Sequence, residues 1–313
     1  MTIQQSLAFA AAKLRASASP TLDAEVLLSF AIKKPKEFLY AYPELELSKN
    51  QSSRFRALIR KRAHRWPVAY LTGHKEFFGL DFIVTPDVLV PRPDTELLVE
   101  LATQAIGDKR LAIRNIIDVG TGSGSIIISL AHAVSKKLDF FAIDSSAKTL
   151  SVARRNARRH GVSHKIKFLR GNLISPLLLA TSYLPRLASG KTGKLQPSLI
   201  IANLPYLTEK QYRANPDLRH EPKNALVGGK DGMKYFRGLL EQLHSYCHPG
   251  LDPGSRTGFR LGGRNDRKSI ILLEHDPSQK NKIKKLISLH FPKTRSKFYK
   301  DLSGYSRVSL FEI

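Results

Sequence analysis

From Asn115 onward the chain alternates strand-type with helix-type stretches, and this rhythm constrains the fold more than any other feature. Ile116-Ile117-Asp118-Val119 reads as a strand, as does Leu138 to Ile143, which ends at Asp144. Ile126 to Ala133 and Ala147 to His160 read as the intervening helices. Further strands are expected at Ile166 to Leu169, Leu199 to Ala202 and Ile270 to Glu274, with helices at Tyr235 to Tyr246 and Asn281 to Leu289. Lys297 to Leu302 and Tyr305 to Glu312 read as a closing strand pair. Unbroken Val/Ile/Leu runs suit strands buried on both faces. Such alternation implies a mostly parallel sheet with helices on both sides. The expected class is therefore α/β, Rossmann-like, mostly parallel with a terminal antiparallel strand pair. Ligands of open α/β sheets sit at the carboxyl ends of the strands, so the residues at those ends come next.

Asp118-Val119-Gly120-Thr121-Gly122-Ser123-Gly124 joins the first strand to the first helix. Its glycines allow a tight turn and a close approach of ligand to backbone. Asp144 closes the next strand, where a carboxylate can accept hydrogen bonds from a ribose diol. A dinucleotide fingerprint requires Gly-x-Gly-x-x-Gly, yet the third glycine is replaced by Ser125 in one frame and Ile127 in the other. A glycine at every second residue after an acidic residue instead resembles the S-adenosyl-L-methionine loop of class I methyltransferases. That ligand has no pyrophosphate and needs close backbone contact more than an anion site at a helix end. A purely structural glycine turn is the bland alternative. In folds of this kind the residues after the third strand meet the adenine, which points to Asn172 for its edge and Leu173 for its face.

A second strand end has a different character. Ile200-Ile201-Ala202 runs into Asn203-Leu204-Pro205-Tyr206. Pro205 cannot continue a central strand and biases Leu204 toward extended conformations, so the chain must leave the sheet just after Asn203. A simple strand end with a turn would look the same.

Residues 1 to about 74 read as a separate helical unit. Leu22 to Leu28 has helical apolar spacing, and Pro35 opens a helix through Tyr40. Gln51 to Arg65 places Phe55, Leu58 and Ile59 on one face and Arg56, Arg60 and Arg62 on the other. Residues 75 to 90, with Glu76 to Val84 at their centre, suit a β-hairpin linker. Pro91-Arg92-Pro93-Asp94-Thr95-Glu96 then forms an extended loop, with Asp94 or Thr95 as cap for a helix from Leu97 to Ile106. The catalytic domain is expected over 91–313, interrupted by surface insertions at about 177–196 and 248–268. Gly190-Lys191-Thr192 in the first insertion lacks the preceding glycine spacing of a P-loop. His244, Cys247 and His248 have near-metal spacing but no fourth partner, so no metal site is assigned.

The chain of 313 residues holds 42% hydrophobic and 25% charged residues, which suits a globular protein. Its single cysteine excludes an internal disulfide and fits the cytoplasm. The first residues lack signal-peptide character, and no apolar run reaches the length of a membrane span, so no membrane partner is expected. The net charge of +25 favours polyanionic surroundings such as RNA or the ribosome. Arg154 to Arg170 and Lys280 to Lys300 hold seven and eight Lys/Arg with no acidic residue, although such runs are usually solvated faces.

Taken together, the Asp118–Gly124 loop, Asp144, Asn203–Tyr206, Pro91–Glu96, Glu221–Leu226, Gly228–Gly232 and Asp301–Val308 resemble the HemK/PrmC family. The resemblance covers nearly the whole chain except the insertions. It departs from the family pattern at Leu204, where the family has proline, and at Asn172, where the family commonly has an acidic residue. The resemblance implies a class I S-adenosyl-L-methionine-dependent methyltransferase acting on the side-chain amide nitrogen (N5) of a glutamine in peptide chain release factors. It implies that Asn203, beside the cofactor, accepts one amide N–H through its side-chain oxygen. The Leu204 carbonyl accepts the second, Pro205 restricts Leu204, and Tyr206 packs over the amide plane. The cofactor is then expected against Asp118, Gly120, Thr121, Gly122, Ser123, Gly124, Asp144, Asn172 and Leu173. The alternatives are a nucleic-acid methyltransferase acting on an exocyclic adenine nitrogen, with a flipped base stacked on Tyr206, and a binding protein that has lost activity.

Overall fold

A computed structural model describes residues 1–179, 188–189, 194–195, 198–247 and 269–313. Its amino-terminal helices are α1 (Ile3–Lys13), α2 (Pro20–Ile32), α3 (Lys36–Ala41), α4 (Lys49–Ala63) and α5 (Val68–Thr72). Thr2 with Gln5, and Ser48 with Gln51, form reciprocal capping boxes that satisfy the free N–H groups at the starts of α1 and α4. The helices bury Ile3, Leu27, Leu28, Phe55 and Ile59 in a core of their own. Arg62 leaves the basic face expected for it and turns inward, where its Nε donates to Asp23 at 2.7 Å. Asp23 is a buried carboxylate that needs a partner.

The hairpin pairs β1 (His74–Phe77) with β2 (Leu80–Ile83). Its turn, Phe78-Gly79, has positive φ at both positions, as two-residue hairpin turns with right-handed strand twist require. Asn156, fully buried, fastens this hairpin: its side chain accepts from the Ile83 N–H at 2.8 Å and donates to the carbonyls of Ile83 and Ser123, each at 2.9 Å. The linker is thereby tied to the glycine loop.

The remaining elements are α6 (Glu96–Gly107), β3 (Asn115–Val119), α7 (Ser125–Ala133), β4 (Asp139–Asp144), α8 (Ala147–Arg159), β5 (Ile166–Arg170), α9 (Ser175–Leu179), the short pair β6 (Ala188–Ser189) and β7 (Lys194–Leu195), and β8 (Ser198–Ala202). They continue with α10 (Glu209–Ala214), α11 (Lys234–Cys247), β9 (Ile270–Glu274), α12 (Lys280–His290), β10 (Ser296–Lys300) and β11 (Ser306–Glu312). A sheet of order β10-β11-β9-β8-β3-β4-β5 results; β9-β8-β3-β4-β5 are parallel, and β11 and β10 close it antiparallel. Alternate strand residues point to opposite faces. Ile116, Phe140, Leu199 and Leu272 pack with α6 and α7 on one side. Ile117, Phe141, Ile200 and Leu273 pack with Phe236, Leu240, Ile283 and Ile287 of α11 and α12 on the other. The insertions expected at 177–196 and 248–268 fall largely outside the described residues, as do Gly190-Lys191-Thr192 and His248.

Candidate active site

The carboxyl ends of β3, β4, β5 and β8 open into one cleft. Its wall on the β3 side is the glycine loop. The N–H groups of Gly120 and Thr121 both donate to the Ile143 carbonyl at 2.9 Å, which folds the loop back over β4. Gly120, Gly122 and Gly124 all have positive φ. At Gly124 the need for glycine is also steric, because an added Cβ would come within 2.7 Å of Ile128 Cδ1.

Gly120, Thr121, Gly122, Ser123, Asp144, Asn172, Leu173, Asn203, Leu204 and Pro205 line this cleft. Asp118 and Gly124 do not. Asp118 is fully buried beneath the loop and accepts from the Thr121 hydroxyl at 2.6 Å. Burial pushes its carboxyl up to about 7, and the nearby Asp144 charge adds to that, while the Thr121 hydroxyl opposes it. The loop is thus braced from below by Asp118 and packed against α7 and α8 at Gly124. Asp144 carries the polar face of the cleft: Oδ2 accepts from Gly122 N–H at 3.2 Å and Oδ1 from Ser146 N–H at 2.9 Å. Two carboxylate oxygens have about four lone-pair positions, so the group keeps capacity for a ligand hydroxyl beside its backbone donors. Burial raises the Asp144 carboxyl above its ordinary value, and the backbone donors of Ser146 and Gly122 counter that rise.

The opposite wall is Asn203-Leu204-Pro205, where the chain leaves β8 after Ala202. Asn203 Nδ2 donates to the Thr95 hydroxyl at 3.0 Å. Thr95 is buried and does not cap α6; neither its side chain nor that of Asp94 reaches a helix N–H there. The Thr95 hydroxyl instead accepts from Asn203. Asp94 pairs with Arg307 at 3.1 Å. Burial pushes Glu274 up to about 7, against the Thr95 hydroxyl and the Arg307 charge. Tyr206 is not among the residues lining the cleft. Its hydroxyl donates to Glu274 Oε1 at 3.3 Å, which ties the motif to the end of β9. Arg92 lines the mouth and bonds the buried Glu221, whose other oxygen accepts from Val90 N–H at 3.1 Å.

Thr95, Glu274 and Tyr235 carry this site without having been read as site residues, apart from Thr95 as a cap. Glu274 ends β9, beside β8, and the strand-end rule that singled out Asn203 and Asp144 applies equally to it. Among the described residues no group of His, Cys, Asp and Glu is arranged to hold a metal ion, and no helix is long and apolar enough to cross a membrane.

Sheet order, glycine loop and strand-end carboxylate together define a class I methyltransferase that uses S-adenosyl-L-methionine as methyl donor. Residues 5–73 match the PrmC N-terminal domain family and residues 113–182 a methyltransferase domain family. A protein of Moorella thermoacetica named release factor glutamine methyltransferase is 37% identical over 265 residues, covering 82% of this chain and 87% of that one. One of Burkholderia pseudomallei with the same name is 38% identical over 256 residues, 80% of this chain and 83% of that one. The chain belongs to the release factor glutamine methyltransferase family. Among solved structures, the hMettl16 catalytic domain in complex with MAT2A 3'UTR hairpin 6 shares the fold, with TM-score 0.51 and 15% identity over 80% of each chain.

Proposed function

We propose that this protein transfers the methyl group of S-adenosyl-L-methionine to the side-chain amide nitrogen (N5) of a glutamine in a peptide chain release factor. One observation carries the reading. Asn203 stands across the cleft from the glycine loop and Asp144, and its amide nitrogen is committed to Thr95. That bond orients the side-chain amide, and its oxygen is the acceptor we assign to an incoming amide N–H.

The cleft suits the cofactor on the chain's own terms. Asp144 offers its free lone pairs to a ribose diol, Gly120 and Gly122 leave backbone room, and Leu173 and Asn172 stand at the adenine end. Asp118 acts through Thr121 rather than by contact. When bound, S-adenosyl-L-methionine supplies an electrophilic methyl group on a sulfonium sulfur. The rest falls to positioning, because an amide nitrogen is a poor nucleophile. Asn203 Oδ1 accepts one N–H of the substrate amide and the Leu204 carbonyl accepts the other, which holds the nitrogen in line. Orientation of this kind contributes several kcal/mol, up to about 7–11 in the best cases. The same two acceptors stabilise the charge that develops on the nitrogen's protons. One of those protons then leaves to solvent.

We place the reaction in the cytoplasm, close to ribosomes or RNA. Lys282, Lys284, Lys285, Lys293, Arg295 and Lys297 all project to solvent from α12 and the segment after it, a distribution that favours polyanionic surroundings. Incubation with labelled S-adenosyl-L-methionine and separate pools of release factor, RNA and DNA tests the reading. Label on a release-factor glutamine is expected; label on nucleic acid alone rejects it in favour of an adenine methyltransferase.

A further inference from the structure

The loop Gly228-Gly229-Lys230-Asp231-Gly232 and the side chain of Gln279 lie outside the cofactor site, yet both close on the backbone of the acceptor motif. Gln279 is buried, and its Nε2 donates to the Tyr206 carbonyl at 2.9 Å. Its Oε1 accepts from Asp276 N–H at 3.2 Å, which fixes the amide's orientation. A Cβ at Gly232 would overlap both the Tyr206 carbonyl and Gln279 Nε2, and one at Gly228 would overlap the Pro205 carbonyl. Backbone bonds complete the enclosure: Leu207 N–H donates to Leu226 O at 2.9 Å and Gly228 N–H to Leu207 O at 2.8 Å. The loop is itself fastened, since Arg237 of α11 grips Asp231 with two bonds of 2.9 Å. That pair holds the Asp231 carboxyl down to about 2.

Leu204 lacks a ring to fix its own φ, so beyond the packing of its buried side chain its carbonyl is aimed by what holds its neighbours. We propose that Gln279, with the close-packed glycines 228 and 232, is a positioning clamp on Pro205 and Tyr206 that aims the Leu204 carbonyl at the substrate amide, supplying from outside the rigidity that a proline at 204 would supply from within. The proposal rests on the amide-methylation reading given above. Gln279 touches neither substrate nor cofactor and acts through the motif's backbone.

The test combines Gln279→Ala with Leu204→Pro. In Gln279→Ala, turnover on release factor at saturating cofactor should fall about tenfold or more, as small misplacements do in oriented reactions. The Kd for S-adenosyl-L-methionine should stay within about twofold, as befits a loss confined to the acceptor side. Hydrogen–deuterium exchange across residues 203–207 should accelerate. Adding Leu204→Pro should restore more turnover in Gln279→Ala than it adds to the wild type, by about fivefold for a coupled pair. A lowered Tm with turnover and exchange unchanged overturns the clamp, and so does an equal effect of Leu204→Pro in both backgrounds. Should Gln279→Ala fail to fold, Gln279→Glu keeps an acceptor for Asp276 N–H and replaces the amide donor by a carboxyl, whose ionised form repels the Tyr206 carbonyl, so the loss of turnover should grow as pH rises. A wild type that methylates no release factor overturns the functional reading instead, and the exchange measurement then decides the clamp by itself.

Discussion

The two walls of the cleft are built in different ways. The cofactor wall is local: one short loop, one strand-end carboxylate a helix later, and backbone bonds between them. The acceptor wall is assembled from afar. Asn203 depends on Thr95, 108 positions earlier in the chain, and Tyr206 on Glu274 and Gln279, 68 and 73 positions later. A local wall tolerates change elsewhere in the fold, whereas an assembled wall inherits the errors of every element that reaches it. Away from the Gly120–Leu204 contact, cofactor binding and methyl transfer should therefore separate under mutation.

The largest effect that would sharpen this contrast is expected from Asn203→Ala. Turnover should drop by about a hundredfold or more through lost orientation, with cofactor affinity, read by calorimetry, close to normal. A variant that methylates at the wild-type rate would falsify the assignment of the acceptor wall. On the other side, Asp144→Ala should weaken cofactor binding by roughly ten- to a hundredfold, the worth of hydrogen bonds to a charged group. Release-factor KM should hardly move, and a large rise in it would show that the walls are not separable.

A smaller loss is expected from Thr95→Val, which keeps shape but removes the partner of Asn203. One ordinary hydrogen bond corresponds to about fivefold in turnover. Steady-state kinetics should place that loss in the release-factor reaction with cofactor Kd unchanged; the reverse pattern rejects the proposed role.

The gentlest probe is pH. Burial raises Glu274 from 4.5 to about 7 and Asp118 from 3.8 to about 7. Between those ordinary values and about 7 the native state holds protons that the unfolded chain has released. Stability therefore falls as pH rises through that window, by on the order of 3 kcal/mol for each fully buried group. Melting temperatures taken from pH 5 to 8 should decline, and Glu274→Gln should make the decline shallower. A slope unchanged by that substitution would remove Glu274 as its source.

The same contrast explains what could be read from residues in order. The parallel sheet was legible because Ile116–Val119, Ile200–Ala202 and Ile270–Glu274 are apolar runs that only a doubly covered strand can hide. The glycine loop and Asp144 were legible because their geometry is encoded within one strand–loop–helix–strand span. Asp94 or Thr95 is the expected helix cap, since such residues before an acidic first turn ordinarily cap, but Asn203, 108 positions later, engages the Thr95 hydroxyl and Arg307 pairs with Asp94. Arg62 was read as part of a basic face until Asp23 claimed it. Each departure involves a partner remote in sequence, where spacing carries no signal. Asp118 shows a subtler limit: the residue belongs to the loop, but its depth below the cleft follows from the sheet's register.

Leu204 has one more consequence, for redesign. Its Cδ2 lies where a Cβ on Gly120 would sit 3.2 Å away, so the acceptor residue and the first loop glycine share a single layer of atoms. Engineering the acceptor pocket toward a longer or bulkier amide cannot proceed by recutting position 204 in isolation. Any enlargement there opens a void beside the loop, and any side chain gained at 120 presses on the leucine and strains a backbone at φ +76°. A library that diversifies the two positions jointly has access to solutions that stepwise mutation would have to reach through an impaired intermediate.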